Sequence, residues 1–124
     1  MSERRFGCRV PLEMFLNEYV DDRLHRCLTT NVSESGLYVH KLRALSARRP
    51  RPLQLEFELP GTNEIIWARG EVAYEAADPL FHGTGIRLTG IAGLHARLLR
   101  DFVRQKRSAQ LRSLLDQIRR NRYH

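Results

Sequence analysis

From Val10 to Asn17 the apolar residues Val10, Leu12, Met14 and Leu16 alternate with Pro11, Glu13, Phe15 and Asn17. A period of two predicts a strand with one face turned to a core. Asp21-Asp22 is a turn signal, and residues 23–30 read as a second strand. Residues 31–36 are rich in Asn, Ser and Gly, which predicts a turn into a third strand over 36–40. Residues 41–52, with several arginines and two prolines, read as a loop. Leu53, Leu55, Phe57 and Leu59 alternate strictly with Gln54, Glu56 and Glu58, the cleanest half-buried strand of the chain. Pro60-Gly61-Thr62-Asn63 predicts a turn, and Ile65–Ala76 a long strand in which Gly70 marks a bulge or bend. Asp78-Pro79 breaks that strand, and residues 83–88 form a last one.

After Gly90 the period changes from two to 3.6. Leu94, Leu98, Leu99, Phe102 and Val103 fall on one helical face, and Arg97, Arg100, Arg104 and Arg107 on the opposite one. Beyond a polar stretch a second apolar set follows: Leu111, Leu114, Leu115 and Ile118. This predicts one long helix or two, with the second set in need of a surface to cover it. Six short strands and then a helix predict a mainly β fold, a small antiparallel barrel with the helix packed outside it or over one end. The 124 residues fit one domain, and 42% apolar content suffices for one core. The expected division is a tail over 1–9, a barrel over 10–90 and a basic amphipathic helix over 91–124, the helix being part of the same domain.

Charge adds a second layer. The net charge is +7, and of 21 basic residues only Lys41 and Lys106 are lysine. A GC-rich genome alone can favour arginine. Physically, arginine is also the better partner for phosphate and purines, because its planar fork meets two acceptors and its face stacks on rings. Acidic and basic residues balance over 1–96, so the whole excess lies in the last segment. A basic helix face of this kind is either simply solvated or a docking surface for an acidic partner.

Several classes are set aside. No stretch approaches the roughly 18 apolar residues of a membrane span. Residues 1–9 are polar and basic without an apolar segment, unlike a secretion signal, so the cytoplasm is the expected compartment. Cys8 and Cys27 are too few for a disulfide scaffold, and the five histidines show no zinc-ligand spacing. Gly83-x-Gly85 lacks the third glycine of a phosphate cradle, and neither a HExxH pair nor a nucleophile elbow is present. An enzyme is therefore not expected.

Two short motifs carry the candidate chemistry. Arg4-Arg5-Phe6-Gly7-Cys8-Arg9 holds an Arg-x-x-x-Arg pair, Arg5 and Arg9, just before the first strand. Asn31-Val32-Ser33-Glu34-Ser35-Gly36 holds an Asn-x-Ser-x-x-Gly turn between the second and third strands. Together, in this order and on these elements, they make the chain resemble the PilZ domain family along nearly its whole length. Two positions depart from the family's habit: Ser35 stands where a second glycine is usual, and Tyr74 where a tryptophan is frequent.

The resemblance implies a six-stranded antiparallel PilZ-type β-barrel with a C-terminal α-helix, and a binding site for cyclic di-GMP. Arg4, Arg5 and Arg9 would reach over the nucleotide, Asn31 and Ser33 would meet guanine and phosphate, and Gly36 would permit the tight turn. In this family an arginine directly before the Arg-x-x-x-Arg pair goes with a stacked dimer of the nucleotide, so Arg4 implies two molecules per chain. No other cofactor is expected. The residues agree on chemical grounds. Guanine O6 and N7 match a guanidinium fork, an amide such as Asn31 can donate and accept at a base edge, and glycine takes a positive φ without steric cost. With no output domain, such a receptor would signal through a partner protein. Arg97, Arg100, Arg104 and Arg107 are the candidate surface for that partner, and Leu111, Leu114, Leu115 and Ile118 are either core cover or the face of a homodimer or partner helix. The alternative is an interaction module that works through the basic helix without the nucleotide. A nucleic-acid binder, a third class, is not what the motifs favour.

Overall fold

The computed structural model describes residues 9–41, 52–76 and 82–122. Its elements are β1 (Val10–Val20), β2 (Arg23–Val32), β3 (Gly36–Lys41), β4 (Leu53–Glu58), β5 (Ile65–Ala76), β6 (His82–Ile91) and α1 (Gly93–Arg122). The strands close into an antiparallel barrel in the order β1-β2-β3-β6-β5-β4, with β4 returning to β1. The expected six-stranded barrel with a C-terminal helix is the architecture found.

Local chemistry sets each connection. Asp21 and Asp22 both have positive φ, 50° and 64°, between the paired residues Val20 and Arg23. Two central residues of that kind make the mirror-image turn whose twist matches a two-residue hairpin. At the β4–β5 turn Gly61 takes φ 78°, and the Thr62 hydroxyl donates to the Leu59 carbonyl at 2.8 Å. β4 alternates as its sequence predicts, with Leu53, Leu55 and Phe57 buried. β5 slips register against β6 at Arg69/Gly70 and again at Val72/Tyr74. Gly70 marks the first slip, where an added Cβ would lie 2.7 Å from Ile86 Cγ2.

The strands run longer than their hydrophobic pattern indicates. β1 continues to Val20, with Glu18 fully buried at an inward position between Leu16 and Val20. A carboxylate there hides the alternation. β6 extends on both sides of the expected 83–88. Phe57 is in the core, but Trp67 and Tyr74 lie on the outer face, 47% and 44% exposed.

One continuous helix follows the barrel. Leu99, Phe102 and Val103 are buried against the core cluster, and Leu98 packs at its edge. Leu94 departs from expectation: it sits in the first turn of α1, 62% exposed, off the barrel face. The start of α1 is pinned otherwise. The last pair of β5 with β6 is Ala68 with Ile91, so the Trp67 backbone lies beyond the end of β6. His95 replaces the strand, its Nδ1 accepting the Trp67 N–H at 3.0 Å. From Arg104 to Asn121 α1 is exposed apart from Gln110. No helix among the described residues is long and apolar enough to cross a membrane.

If three side chains anchor α1, they should dominate its contribution to stability. Leu99→Ala should cost about 2–5 kcal/mol by urea denaturation, the range for emptying a buried leucine site. Leu94→Ala should stay within about 0.5 kcal/mol of wild type, as exposed substitutions do.

Candidate functional site

The β1–β2 hairpin brings the two sequence motifs together. Val10 pairs with Val32 and Pro11 with Asn31, so Arg9 lies beside the end of β2 where the turn begins. Arg9, Asn31, Ser33 and Gly36 line one cleft of about 230 Å³. Ser35, Tyr38, Tyr74, Gly85 and Arg87 line the same cleft. Arg4 and Arg5 lie outside the described residues, as does Cys8.

The turn is held by one hydroxyl. Ser33 is buried, and its Oγ accepts the N–H groups of Gly36 at 3.0 Å and Ser35 at 3.2 Å. The Ser33 N–H in turn donates to the Gly36 carbonyl at 2.8 Å. Asn31 belongs to the end of β2 rather than to the turn, just past a register slip between Thr29 and Asn31. The buried Thr29 hydroxyl fills that slip, donating to the Tyr38 carbonyl at 2.8 Å with the Asn31 carbonyl 3.2 Å away. Thr29 therefore positions Asn31, a role with no signal in the sequence.

Gly36 is required for a reason other than the expected one. Its φ is not in the positive range; among the described glycines only Gly61 is. Instead, a Cβ on Gly36 would lie 2.6 Å from the Ile86 carbonyl oxygen of β6. The glycine lets the turn seat on β6, where the Leu88 N–H donates to the Ser35 carbonyl at 2.9 Å.

The cleft has an aromatic wall that the motifs do not include. Tyr38, Gly85 and Tyr74 form one row across β3, β6 and β5. The Tyr74 ring lies over Gly85 and the Tyr38 ring end over Gly83, where side chains would otherwise stand. The two rings stack with centroids 6.0 Å apart, and His40 meets Tyr38 edge-on at 5.2 Å. Sequence patterning gives Tyr38 no role, since it occupies an ordinary outward strand position. Arg87 of β6, also absent from the motifs, forms an ion pair with Glu71 of β5.

A second polar cluster lies elsewhere on the barrel. Asn17 Nδ2 and the Tyr19 hydroxyl both donate to Glu56 Oε1, at 3.0 and 3.3 Å, while Tyr19 stacks on Trp67. Loss of water raises the Tyr19 phenol above its ordinary value, and the Glu56 carboxylate adds to the shift. These bonds tie β1, β4 and β5 together. Among the described residues, no group of His, Cys, Asp and Glu has the arrangement of a metal site.

The turn's construction separates stability from recognition. Ser33→Ala strands two backbone donors and should cost about 1–3 kcal/mol of unfolding free energy. Asn31→Ala, whose side chain holds no bond of the turn, should change it by about 0.5 kcal/mol or less. Urea denaturation of the two variants checks this.

No protein-family model matches the chain, and no curated protein matches it. Solved structures do resemble it. The Bacillus subtilis inhibitor of motility, MotI/DgrA, superposes with a TM-score of 0.73 at 19% identity, over 82% of this chain and 49% of that one. The Borreliella burgdorferi PlzA protein in complex with c-di-GMP gives 0.58 at 17% identity, over 82% and 42%. A Xanthomonas campestris protein, described as a tetrameric PilZ domain self-assembled via an unusual helical bundle, gives 0.55 at 15%, over 73% and 49%. The chain thus spans less than half the length of each of these proteins. The fold of this chain is the PilZ-type barrel.

Proposed function

We propose that the chain is a receptor for cyclic di-GMP. The observation that carries this reading is the convergence of Arg9, Asn31, Ser33 and Gly36 on one cleft of a PilZ-type barrel, beside a pair of stacked tyrosines. A cyclic dinucleotide offers two phosphates and two purine faces. Arginine forks suit both phosphate and the O6/N7 edge of guanine. An aromatic ring suits a purine face, and stacking of that kind is worth about 1–3 kcal/mol per base. The complex of PlzA with c-di-GMP supports the same ligand here. The described cleft lining contains no carboxylate, histidine or thiol to take a proton, which favours binding over turnover.

Arg4 and Arg5 complete the grip from the N-terminal side, and Arg4 favours two stacked nucleotides per chain. Ordering a tail costs roughly 1–2 kcal/mol per residue, which offsets part of several charge-assisted bonds of about 1.5–3 kcal/mol each. The expected affinity is therefore about micromolar, near −8 kcal/mol. Calorimetric titration with cyclic di-GMP, and with GTP and cyclic di-AMP as controls, tests the reading. Selective binding should weaken at least about tenfold in Arg5→Ala and in Arg9→Ala, since one charge-assisted bond is worth that much. A stoichiometry of two would assign Arg4 its role. A folded protein that binds none of the three is not a receptor of this class.

The outward seam of α1 is the output surface. Arg97, Arg100, Arg104, Arg107, Leu111, Leu114 and Ile118 follow one another at steps of three and four, so they form one seam. Its outer half is apolar, with Leu111, Leu114, Leu115 and Ile118 46–61% exposed. An apolar stripe of this kind marks an interaction surface. A second copy of the chain covers it in this reading, leaving the inner arginines for an acidic protein partner. The Xanthomonas campestris tetramer, built through a helical bundle, supports this. Light scattering after gel filtration should show a dimer or larger for wild type, and a monomer for Leu114→Glu combined with Leu115→Glu.

A further inference from the structure

Among the described residues, Arg87 is a cleft-lining arginine whose charge is already engaged by a carboxylate outside the cleft. In the strand register it stands directly between Gly36 of β3 and Glu71 of β5. On the β5 side its Nη2 is paired with Glu71 Oε1. On the β3 side its register partner is Gly36, which carries no side chain. No register partner's side chain therefore separates Arg87 from the turn that carries Asn31 and Ser33. The backbone beneath it is fixed: the Leu88 N–H holds the Ser35 carbonyl at 2.9 Å, and the Ile86 carbonyl abuts Gly36. Only the side chain is free to change partner. Both members of the pair are solvent-accessible, 57% for Arg87 and 36% for Glu71.

The geometry points to Arg87 as an additional ligand-gripping arginine, held away from the nucleotide by Glu71 until the nucleotide arrives. This rests on the cyclic di-GMP reading and adds a device to it. Adjacent strands are about 4.8 Å apart, so a guanidinium on a flexible stem reaches across either neighbour. Turned toward Gly36, it presents its fork to a phosphate or to guanine O6 and N7 over the turn. The balance of strengths favours the exchange. An exposed ion pair is weak, worth a few-fold in an equilibrium constant at most. A charge-assisted bond from arginine to phosphate is worth about tenfold or more. Glu71 is thus a positioning residue that sets the threshold concentration of ligand, and Arg87 is the group it restrains.

The test is a four-protein cycle titrated calorimetrically with cyclic di-GMP: wild type, Arg87→Ala, Glu71→Gln, and both together. Arg87→Ala should weaken binding about tenfold or more. Glu71→Gln should tighten it about two- to fivefold, because the competing carboxylate is gone. The double variant should match Arg87→Ala, since Glu71 acts only through Arg87. Arg87→Lys, which keeps the charge but not the fork, should fall between and serves if the alanine variant folds poorly. The salt dependence of log Kd should lose about one unit of slope in Arg87→Ala if the lost contact is to phosphate. Unchanged affinity in Arg87→Ala would overturn the proposal. So would tightening by Glu71→Gln that persists without Arg87, which would mean simple long-range repulsion of the anion. A wild type that binds while the cycle stays flat removes this inference alone. A wild type that binds no cyclic di-GMP removes the receptor reading, and this inference with it.

Discussion

The close seating of β3 on β6 at Gly36 is the constraint on which the rest depends. The glycine leaves room for the Ile86 carbonyl where any side chain would collide. The two strands are far apart in sequence, so their pairing must repay a large loop-closure cost. That pairing brings β3 and β6 together in the order β1-β2-β3-β6-β5-β4, and so completes the ring. It also sets which residue of β6 faces the turn. With Gly36 opposite Arg87, Tyr38 falls opposite Gly85 and His40 opposite Gly83. One backbone contact thus places a cation beside the turn and leaves bare backbone beneath the aromatic rings.

The outer face of that sheet follows from the same economy of side chains. Gly83 and Gly85 give up their own packing, and Tyr38 and Tyr74 lie flat across the vacancies. Aromatic rings laid over strand glycines recover apolar burial that the glycines forgo, and the offset stack of Tyr38 on Tyr74 adds its own attraction. The rings are held at the mouth of the cleft by strands, not by loops. The turn opposite is held by the Ser33 hydroxyl and by Thr29 beneath it. Both walls are thus held by the barrel itself.

How far the sequence reaches into this arrangement depends on whether the signal is local. β4 and the two-aspartate hairpin are local, and both were legible from alternation and turn chemistry. The end of β1 was not, because Glu18 takes an inward position. The face of α1 was misjudged at Leu94, where His95 rather than an apolar side chain ties the helix to the sheet. The convergence of Arg9 with Asn31, Ser33 and Gly36 was legible through the family resemblance, and the β1–β2 register explains it. The requirement at Gly36 was legible in identity but not in cause, since close approach and positive φ leave the same residue in the sequence. Tyr38, Arg87 and Glu71 gave no signal. Arg87 meets Glu71, and Tyr38 meets Tyr74 across β6, through a β5–β6 register that slips twice, and each slip moves every later partner.

β6 joins the two ends of the molecule. It carries Gly85 and Arg87 at the cleft, runs to Ile91, and passes directly into α1 at Gly93. The helix then has three buried anchors, Leu99, Phe102 and Val103, after which its 30-residue length carries it away from the barrel. At 1.5 Å per residue the part beyond Val103 extends roughly 28 Å. From Arg104 to Asn121 it is exposed apart from Gln110, so a small rotation at the anchors becomes a large displacement at Leu114 and Ile118. A ligand changes that displacement only insofar as it binds one setting of the anchors better than another. Of the strands that line the cleft, β6 is the one that leads directly into the helix, which makes it the shortest route along the chain between cleft and anchors.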